Sequence, residues 1–284
     1  MGLRLPHQRR VSMSLSFKRE LGRRDIFMLT LDALRYDVAT EALASGRMPN
    51  LAALVPAGFE RRHTPATFTF AAHQAFFAGF LPTPIGPGPH RRDFAMRYAG
   101  ARSVDRDTLI LDAPDLVSAS RAAGYRAICI GGTQFFNPAA PLGAVLPERF
   151  DEAHWSREMG VTSRKASALQ FTLAAERLAA FPREQRIFLF INAAATHPPT
   201  RIFVRGARQE STATQLAALV ELDRHLPRLV AALRARGGAI GIVCSDHGTC
   251  FGEDGLEGHR LAHENVWTVP YAEVDLPPAT SAAS

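Results

Sequence analysis

Residues 26–32, with the sequence IFMLTLD, decide how the rest of the chain is interpreted. A short apolar run of this kind is typical of a strand that is buried on both faces of a parallel sheet. The run ends at Asp32, the first carboxylate after it. We therefore predict a buried strand that delivers an acidic side chain at its carboxyl end.

Similar apolar runs follow along the chain and alternate with helical patterns. The predicted elements are strands at Arg126–Ile130, 187–191 and Ala239–Cys244, and helices at 71–80, 163–181 and 212–236. The last helix contains Pro227, which predicts a kink or a break. Buried strands that alternate with amphipathic helices predict an α/β fold with a mainly parallel central sheet flanked by helices.

Polar side chains follow three of these strands at the point where each one ends. Asp32 follows the first strand, His197 follows the strand at 187–191, and Asp246 and His247 follow the last one. Ligands of parallel sheets bind beyond the carboxyl ends of the strands. Carboxylate and imidazole groups suit a divalent cation. Each residue alone also fits a turn cap, but their convergence favours a metal site.

Thr69 stands just before the apolar helix predicted at 71–80. A hydroxyl at a helix N-terminus lies among free N–H groups in a positive field, from which it can attack phosphorus while the backbone holds the anionic product. An ordinary N-cap is the alternative, because threonine often caps helices. Thr69 taken alone does not decide between the two.

Two further histidines lie in the segment 252–263, GEDGLEGHRLAH. His259 and His263 are four residues apart and stand beside acidic residues and glycines. They are candidate metal ligands, substrate contacts or general acids. A solvated acidic loop is the alternative interpretation.

The charge distribution argues against nucleic acid as a partner. The formal net charge is +6, and residues 1–24 carry all of it, with seven Lys or Arg side chains and one Glu. The remainder of the chain is formally neutral, so no basic binding surface is predicted. We expect residues 1–24 to be a basic flexible tail and residues 25–284 to be a single catalytic domain.

Apolar content and cysteines bear on location. No apolar stretch approaches the roughly 18 residues that a membrane-spanning helix needs. Arg9 and Arg10 are not followed by the apolar region of an export signal. Cys129, Cys244 and Cys250 contain no CxxC pair, which does not indicate a disulfide framework. We therefore predict a cytoplasmic protein without a membrane partner.

Several blocks together resemble the alkaline phosphatase superfamily, in its sulfatase-like and nucleotide phosphodiesterase branches. These blocks are IFMLTLDALRY at 26–36, MPNL at 48–51, TFAAHQAFFAGFLP at 69–82, the region 116–132 and SDHG at 245–248. Thr69 stands ten residues before Gly79 and thirteen before Pro82, which is the spacing of the nucleophile in that superfamily. The chain is also similar to a group of soluble bacterial sulfatase-like metalloenzymes.

The resemblance implies an alkaline phosphatase-like fold and a metal-dependent hydrolase of phosphodiesters or phosphomonoesters. It implies a covalent phospho-threonine at Thr69 and a Zn²⁺ or Mn²⁺ ion held by Asp32, Asp246, His247 and the Thr69 oxygen. The expected partner is a small-molecule phosphate-type ester. Sulfatase activity is disfavoured, because sulfatases need Cys or Ser as the nucleophile and this chain has threonine.

The resemblance leaves the second metal site of such enzymes open. Ala193 stands where the two-metal phosphodiesterases have Asp, four residues before His197. His197, His259 and His263 then complete a weaker second site, bind substrate or act as a general acid. His259 lies twelve residues after His247, as in lipid-A phosphoethanolamine transferases. Two alternatives therefore remain: a phospho-group transferase or tailoring enzyme, and a degenerate member that only binds a ligand.

Overall fold

The computed structural model describes residues 17–79, 94–96, 109–111 and 115–279. Its strands are β1 (Asp25–Leu31), β2 (Glu60–His63), β3 (Phe94–Met96), β4 (Leu109–Leu111), β5 (Arg126–Ile130), β6 (Glu152–His154), β7 (Ile187–Ala193), β8 (Ala239–Cys244), β9 (Cys250–Phe251), β10 (Glu257–Gly258) and β11 (Thr268–Leu276). Its helices are α1 (Phe17–Glu20), α2 (Tyr36–Ala44), α3 (Pro49–Leu54), α4 (Thr69–Ala78), α5 (Leu116–Ala122), α6 (Pro141–Ala144), α7 (Ala166–Ala179), α8 (Thr212–Ala235) and α9 (Glu264–Trp267). Within these ranges, every helix is too short or too polar to cross a membrane.

Seven strands form the central sheet, in the order β2-β11-β8-β1-β7-β5-β6. The five strands from β8 to β6 pair in parallel, which confirms the predicted α/β fold with a mainly parallel sheet. β11 is antiparallel to both of its neighbours and was not predicted. Its buried and more exposed residues alternate over its second half, so it lacks the unbroken apolar run that marks the central strands.

Two hydrophobic clusters cover the two faces of the sheet. On β1, the side chains of Phe27, Leu29 and Leu31 join one cluster, and those of Ile26 and Met28 join the other. Successive side chains of a strand point to opposite faces. A strand covered on both sides therefore needs an unbroken apolar run, which is what residues 26–31 supply. Helices α2, α3, α7 and α8 contribute to the first cluster, and α4 and α5 contribute to the second.

Two helices differ from their predicted bounds. Helix α8 runs through Pro227 without a break. Pro227 itself is exposed, while Leu226 and Leu229 beside it are buried and hold the helix against the core. Helix α4 begins at Thr69, two residues earlier than predicted, and its N-cap is Phe68. Thr69 is therefore the first residue of the helix rather than its cap; predicted helix residue 80 lies outside the described residues.

The predicted basic tail is described from residue 17 onward. The Arg24 guanidinium donates to the carbonyl oxygens of Ala239 and Leu276 at 3.0 and 2.7 Å. It also pairs with Asp275 at 2.7 Å. The end of this segment therefore packs against the sheet. The single domain over residues 25–284 stays a prediction.

A buried ion pair ties the first strand to the helices behind it. Asp25 begins β1, and its Oδ2 accepts a hydrogen bond of 2.6 Å from Nε of Arg236, which follows α8. The other Asp25 oxygen accepts from the backbone N–H of Ile187 at 2.9 Å. Arg236 also donates to the carbonyl oxygens of Leu178 and Gln185. The pair thus joins β1, β7, α7 and α8.

We expect Arg236→Met to lower the free energy of unfolding by about 3–5 kcal/mol, because it leaves the Asp25 carboxylate buried without its cation. Urea unfolding of the purified variant measures the loss. The matched control is Arg234→Met, two residues earlier, where the arginine is exposed. If both variants lose a similar small amount, the Asp25–Arg236 pair does not hold the fold together.

Candidate metal centre

Three acidic or imidazole side chains meet at the carboxyl edge of the sheet. Asp32 directly follows β1, and Asp246 and His247 follow its parallel neighbour β8. Because the two strands run side by side, both end at the same edge. All three side chains are fully buried, and one ligand atom from each lies within 4.8 Å of the others.

The Asp32 carboxylate is held at one oxygen and open at the other. Its Oδ2 accepts a hydrogen bond of 2.8 Å from Nδ2 of Asn192, at the end of β7. Its Oδ1 is buried and has no hydrogen-bond partner among the described residues. Burial, with a further contribution from Asp246, raises the pKa of Asp32 to about 6.

The Asp246 carboxylate is arranged in the same way. Its Oδ1 accepts from the backbone N–H groups of Ala33 at 3.1 Å and His247 at 3.0 Å. Its Oδ2 is buried without a hydrogen bond in the described part of the chain. Burial raises the pKa of Asp246 to about 6. Ala33 has a φ of 57°, a conformation that a residue with a side chain adopts at a cost.

His247 presents a lone pair to these two oxygens. Its Nδ1 lies 2.8 Å from the carbonyl oxygen of Gly248, which can only accept, so Nδ1 carries the proton. Burial lowers the pKa of His247 to about 4, so the ring is neutral at pH 7. Its Nε2 is therefore an acceptor, and it lies 3.8 Å from Asp32 Oδ1 and 3.6 Å from Asp246 Oδ2.

Glycine is required at position 248 by close packing rather than by a sharp turn. A Cβ atom there would lie 1.9 Å from the carbonyl oxygen of Asn265. The Gly248 N–H also donates to the Val266 carbonyl at 2.7 Å. The segment that carries His247 is therefore pressed against the start of α9.

The cluster fits a divalent cation. Two carboxylate oxygens that have no hydrogen bond in the described part of the chain face one imidazole nitrogen, and all three atoms are acceptors; the Thr69 hydroxyl lies 3.3 Å from that nitrogen. Such an arrangement is unfavourable for the protein alone, because each buried polar atom without a partner costs free energy. Mixed oxygen and nitrogen ligands suit Zn²⁺ or Mn²⁺.

Thr69 lies beside this cluster. Its hydroxyl oxygen is 3.3 Å from His247 Nε2, and the residue is 2% exposed. As the first residue of α4, it stands among backbone N–H groups that have no partner within the helix. The structure thus places the hydroxyl next to His247, one member of the cluster.

His73 and Asn192 also contribute, although neither was predicted as a site residue. His73 is fully buried one turn after Thr69, and its Nδ1–H donates to the Thr69 carbonyl at 2.7 Å. Its Nε2 lies 3.1 Å from the Thr30 hydroxyl. Burial lowers its pKa to about 3, so the ring is neutral. His73 supports the helix turn of Thr69 from behind, as Asn192 supports Asp32.

The other predicted histidines divide into two groups. The His259 ring lies 4.5 Å from the His247 ring and 5.2 Å from the His197 ring, measured between centroids. His263 is engaged elsewhere: its Nδ1 accepts from the Asn265 N–H at 3.0 Å, and its Nε2 lies 3.2 Å from an oxygen of Asp254. The structure therefore brings His197 and His259 to the centre and makes His263 the N-cap of α9.

A cleft of about 770 Å³ opens beside the cluster. Thr69, His197 and His259 contribute to its wall, together with residues that follow β5 and β6. A small molecule of ordinary size fits this volume. The buried cluster thus has access to a substrate through the cleft.

Comparisons with known proteins find similar structures but no similar sequences among family profiles and curated proteins. The sequence matches no protein-family profile and no curated protein. The C-terminal periplasmic domain of EcEptC from Escherichia coli is similar in structure, with a TM-score of 0.62 and 13% identity over 89% of this chain and 72% of that one. The soluble domain of lipooligosaccharide phosphoethanolamine transferase A from Neisseria meningitidis is also similar, with a TM-score of 0.59 and 15% identity. That match covers 89% of this chain and 76% of the other.

A third similar structure is a protein of the alkaline phosphatase superfamily from Vibrio parahaemolyticus, with a TM-score of 0.55 and 15% identity. The match covers 90% of this chain and 62% of that one, so this chain spans less than two thirds of its length. Two of the three similar structures are soluble or periplasmic domains, and the cytoplasmic location stays a prediction. The chain has the fold of the alkaline phosphatase superfamily, as the sequence resemblance led us to expect.

Proposed function

We propose that the protein is a metal-dependent enzyme that cleaves phosphate-type esters, with Thr69 as its nucleophile. One observation carries the proposal: a buried set of acceptor atoms from Asp32, Asp246 and His247 lies directly beside a hydroxyl at the start of a helix. The acceptor set has the chemistry of a divalent-cation site, and the hydroxyl is placed where an anionic group is stabilised. Structural similarity to a phosphoethanolamine transferase supports phosphoester chemistry.

Asp32, Asp246 and His247 would hold the metal ion, and the Thr69 oxygen completes the set. When bound, a divalent cation favours the ionised form of a nearby hydroxyl and stabilises charge on phosphoryl oxygens. Asn192 bonds one oxygen of Asp32 and so orients the open one, and the N–H groups of Ala33 and His247 do the same for Asp246. These contacts orient the ligands before a metal arrives.

Thr69 gives its hydroxyl proton to solvent and attacks the phosphorus atom, and the bond to the leaving oxygen breaks. The free N–H groups in the first turn of α4 then donate to the phosphoryl oxygens. The resulting phospho-threonine transfers its phosphoryl group to water. His259 lies on the cleft side of the cluster and, once the bound anionic phosphate has favoured its protonated form, gives that proton to the leaving oxygen. Burial, and to a smaller extent the neighbouring His247, lowers the pKa of His259 to about 3. An anionic phosphate beside the ring raises this pKa.

Transfer to an acceptor other than water is the second candidate reaction. The name of one similar protein favours it, since that protein is a phosphoethanolamine transferase of Neisseria meningitidis. Hydrolase and transferase share every step up to the phospho-threonine. Product analysis with and without an added alcohol acceptor separates the two.

Metal content tests the proposed site directly. We expect elemental analysis to find about one or two equivalents of Zn or Mn in the purified wild type, and a strong loss in Asp246→Asn. Turnover of bis-p-nitrophenyl phosphate and of p-nitrophenyl phosphate then distinguishes diester from monoester preference. A wild type that stays metal-free after reconstitution would favour the degenerate member that only binds a ligand.

Thr69→Ala should abolish turnover, by about a thousandfold or more, because the covalent step loses its nucleophile. Metal binding should largely survive, since Asp32, Asp246 and His247 remain. Initial rates with a chromogenic ester, together with the metal content of the same preparation, provide the measurement.

Thr69→Ser is the matched control, because it keeps the hydroxyl and removes only a methyl group. We expect it to retain measurable turnover. Trapping of a ³²P label on the protein should succeed with the wild type and fail with Thr69→Ala. Full activity of Thr69→Ala would disprove the nucleophile assignment.

Metal affinity should fall as the pH is lowered through the range in which the two carboxylates become protonated. The pKa values of Asp32 and Asp246 are raised to about 6, so protons compete with the metal below that pH. His247, with its pKa lowered to about 4, remains neutral throughout this range. We expect Kd to rise roughly tenfold or more between pH 7.5 and pH 5. Isothermal titration calorimetry with Mn²⁺ measures it.

The variant Asp246→Asn serves as the control for this pH dependence. It removes one titrating carboxylate, so binding should be weaker at every pH and its slope against pH shallower. A wild-type affinity that stays constant down to pH 5 would show that these two carboxylates do not form the metal site.

A further inference from the structure

The cleft beside Thr69 has a marked imbalance of charge. Two arginines, Arg157 and Arg260, line it, whereas no Asp or Glu appears among the described residues of its wall. Both side chains are exposed, and neither guanidinium forms an ion pair with a described residue. The cleft is therefore a positively charged depression around the nucleophile.

We propose that the cleft selects phosphate esters that carry a second anionic group, a carboxylate or another phosphate, beyond the phosphoryl group that reacts. This rests on the proposed function, and it names the class of substrate. A carboxylate or phosphate is the natural partner of a guanidinium, because its oxygens match the planar donors.

Arg260 is anchored directly beside the nucleophile. Its backbone N–H donates to the carbonyl oxygen of Thr67 at 2.9 Å, and its guanidinium lies 5.0 Å from the centre of the Phe68 ring. Phe68 is the N-cap of the helix that begins with Thr69. Arg260 has a φ of 69°, a costly conformation that the hydrogen bond to Thr67 supports. Its position relative to Thr69 is thus set by the backbone.

Arg260 shares the wall of the reactive site. It directly follows His259 in the sequence, and both residues line the cleft together with Thr69. Stacking on Phe68 leaves the edge of a guanidinium free for hydrogen bonds. Arg260 therefore combines a fixed position with donors that are available to a ligand.

Arg157 also lines the cleft, in the segment that follows β6. It is exposed and begins a short 3₁₀ turn whose Gly160 N–H donates to the Arg157 carbonyl at 3.1 Å. Thr133, which follows β5 and lines the same cleft, is 8% exposed, and its hydroxyl is buried without a partner in the described part of the chain. A ligand in the cleft supplies the acceptor that this hydroxyl lacks.

The arrangement also predicts what the cleft rejects. An ester whose remote end carries an ammonium group meets two guanidinium groups and no carboxylate of the described wall, so like charges repel it. A neutral remote end gains nothing from the arginines. Charge at the remote end should therefore decide the order of affinity.

Three phosphonates of similar length test this order: 3-phosphonopropionate, its amide, and 3-aminopropylphosphonate, which end in a carboxylate, a neutral amide and an ammonium group. Phosphonates are not cleaved, so binding is measured without turnover. Calorimetry on the metal-loaded protein at low ionic strength should give a Kd for the carboxylate about fivefold below that of the amide. The ammonium compound should bind more weakly than the amide.

The double variant Arg157→Gln/Arg260→Gln should lose this order and bind the three compounds about equally. Arg183→Gln is the control, because Arg183 is an exposed arginine that precedes β7, at the opposite edge of the sheet. It removes the same type of charge and should keep the order. Equal binding of the three compounds to the wild type, or an unchanged order in the double variant, would overturn the proposal while the metal-dependent function stands. If neither the phosphonates nor inorganic phosphate bind, both the charge selection and the proposed metal-dependent function are disproved.

Discussion

At the carboxyl edge of the sheet, two carboxylates of like charge are buried with too few hydrogen-bond donors to satisfy both, and the site depends on this arrangement. Asp32 and Asp246 each have one oxygen fixed by N–H donors and one oxygen turned toward the other and toward His247. A protein that only had to fold would fill this space with apolar side chains, since unpaired buried charges destabilise it. The large cores on both faces of the sheet supply the stability that this edge gives up.

The sequence was sufficient for the parallel sheet and for the three residues at its strand ends. Apolar runs mark strands that are covered on both faces, and the polar residue after each run marks the edge where such strands end. The same signal fits Asn192, which directly follows 187–191, but an amide alone does not indicate a metal ligand. His73 was overlooked because its role depends on the helix turn it shares with Thr69, four residues before it.

Other features depended on contacts that no local pattern contains. Strand β11 alternates between buried and exposed residues, and its antiparallel pairing with β8 shows only in three dimensions. His259 and His263 look equivalent in the sequence. In the structure the His259 ring lies beside the His247 ring, whereas His263 caps α9. The difference arises from the turn at Arg260, whose positive φ separates the two histidines.

The segment between His247 and α9 is fastened at three points. The Gly248 N–H is bonded to Val266, Arg260 is bonded to Thr67, and His263 caps the helix. Residues 249–258 run between the first two of these fixed points. Within this stretch Thr249 and Cys250 are buried, and Glu253 pairs with the buried Arg35. Its exposed tip at residues 255–257 is consequently the place where a grafted sequence would disturb the ligands at the sheet edge least.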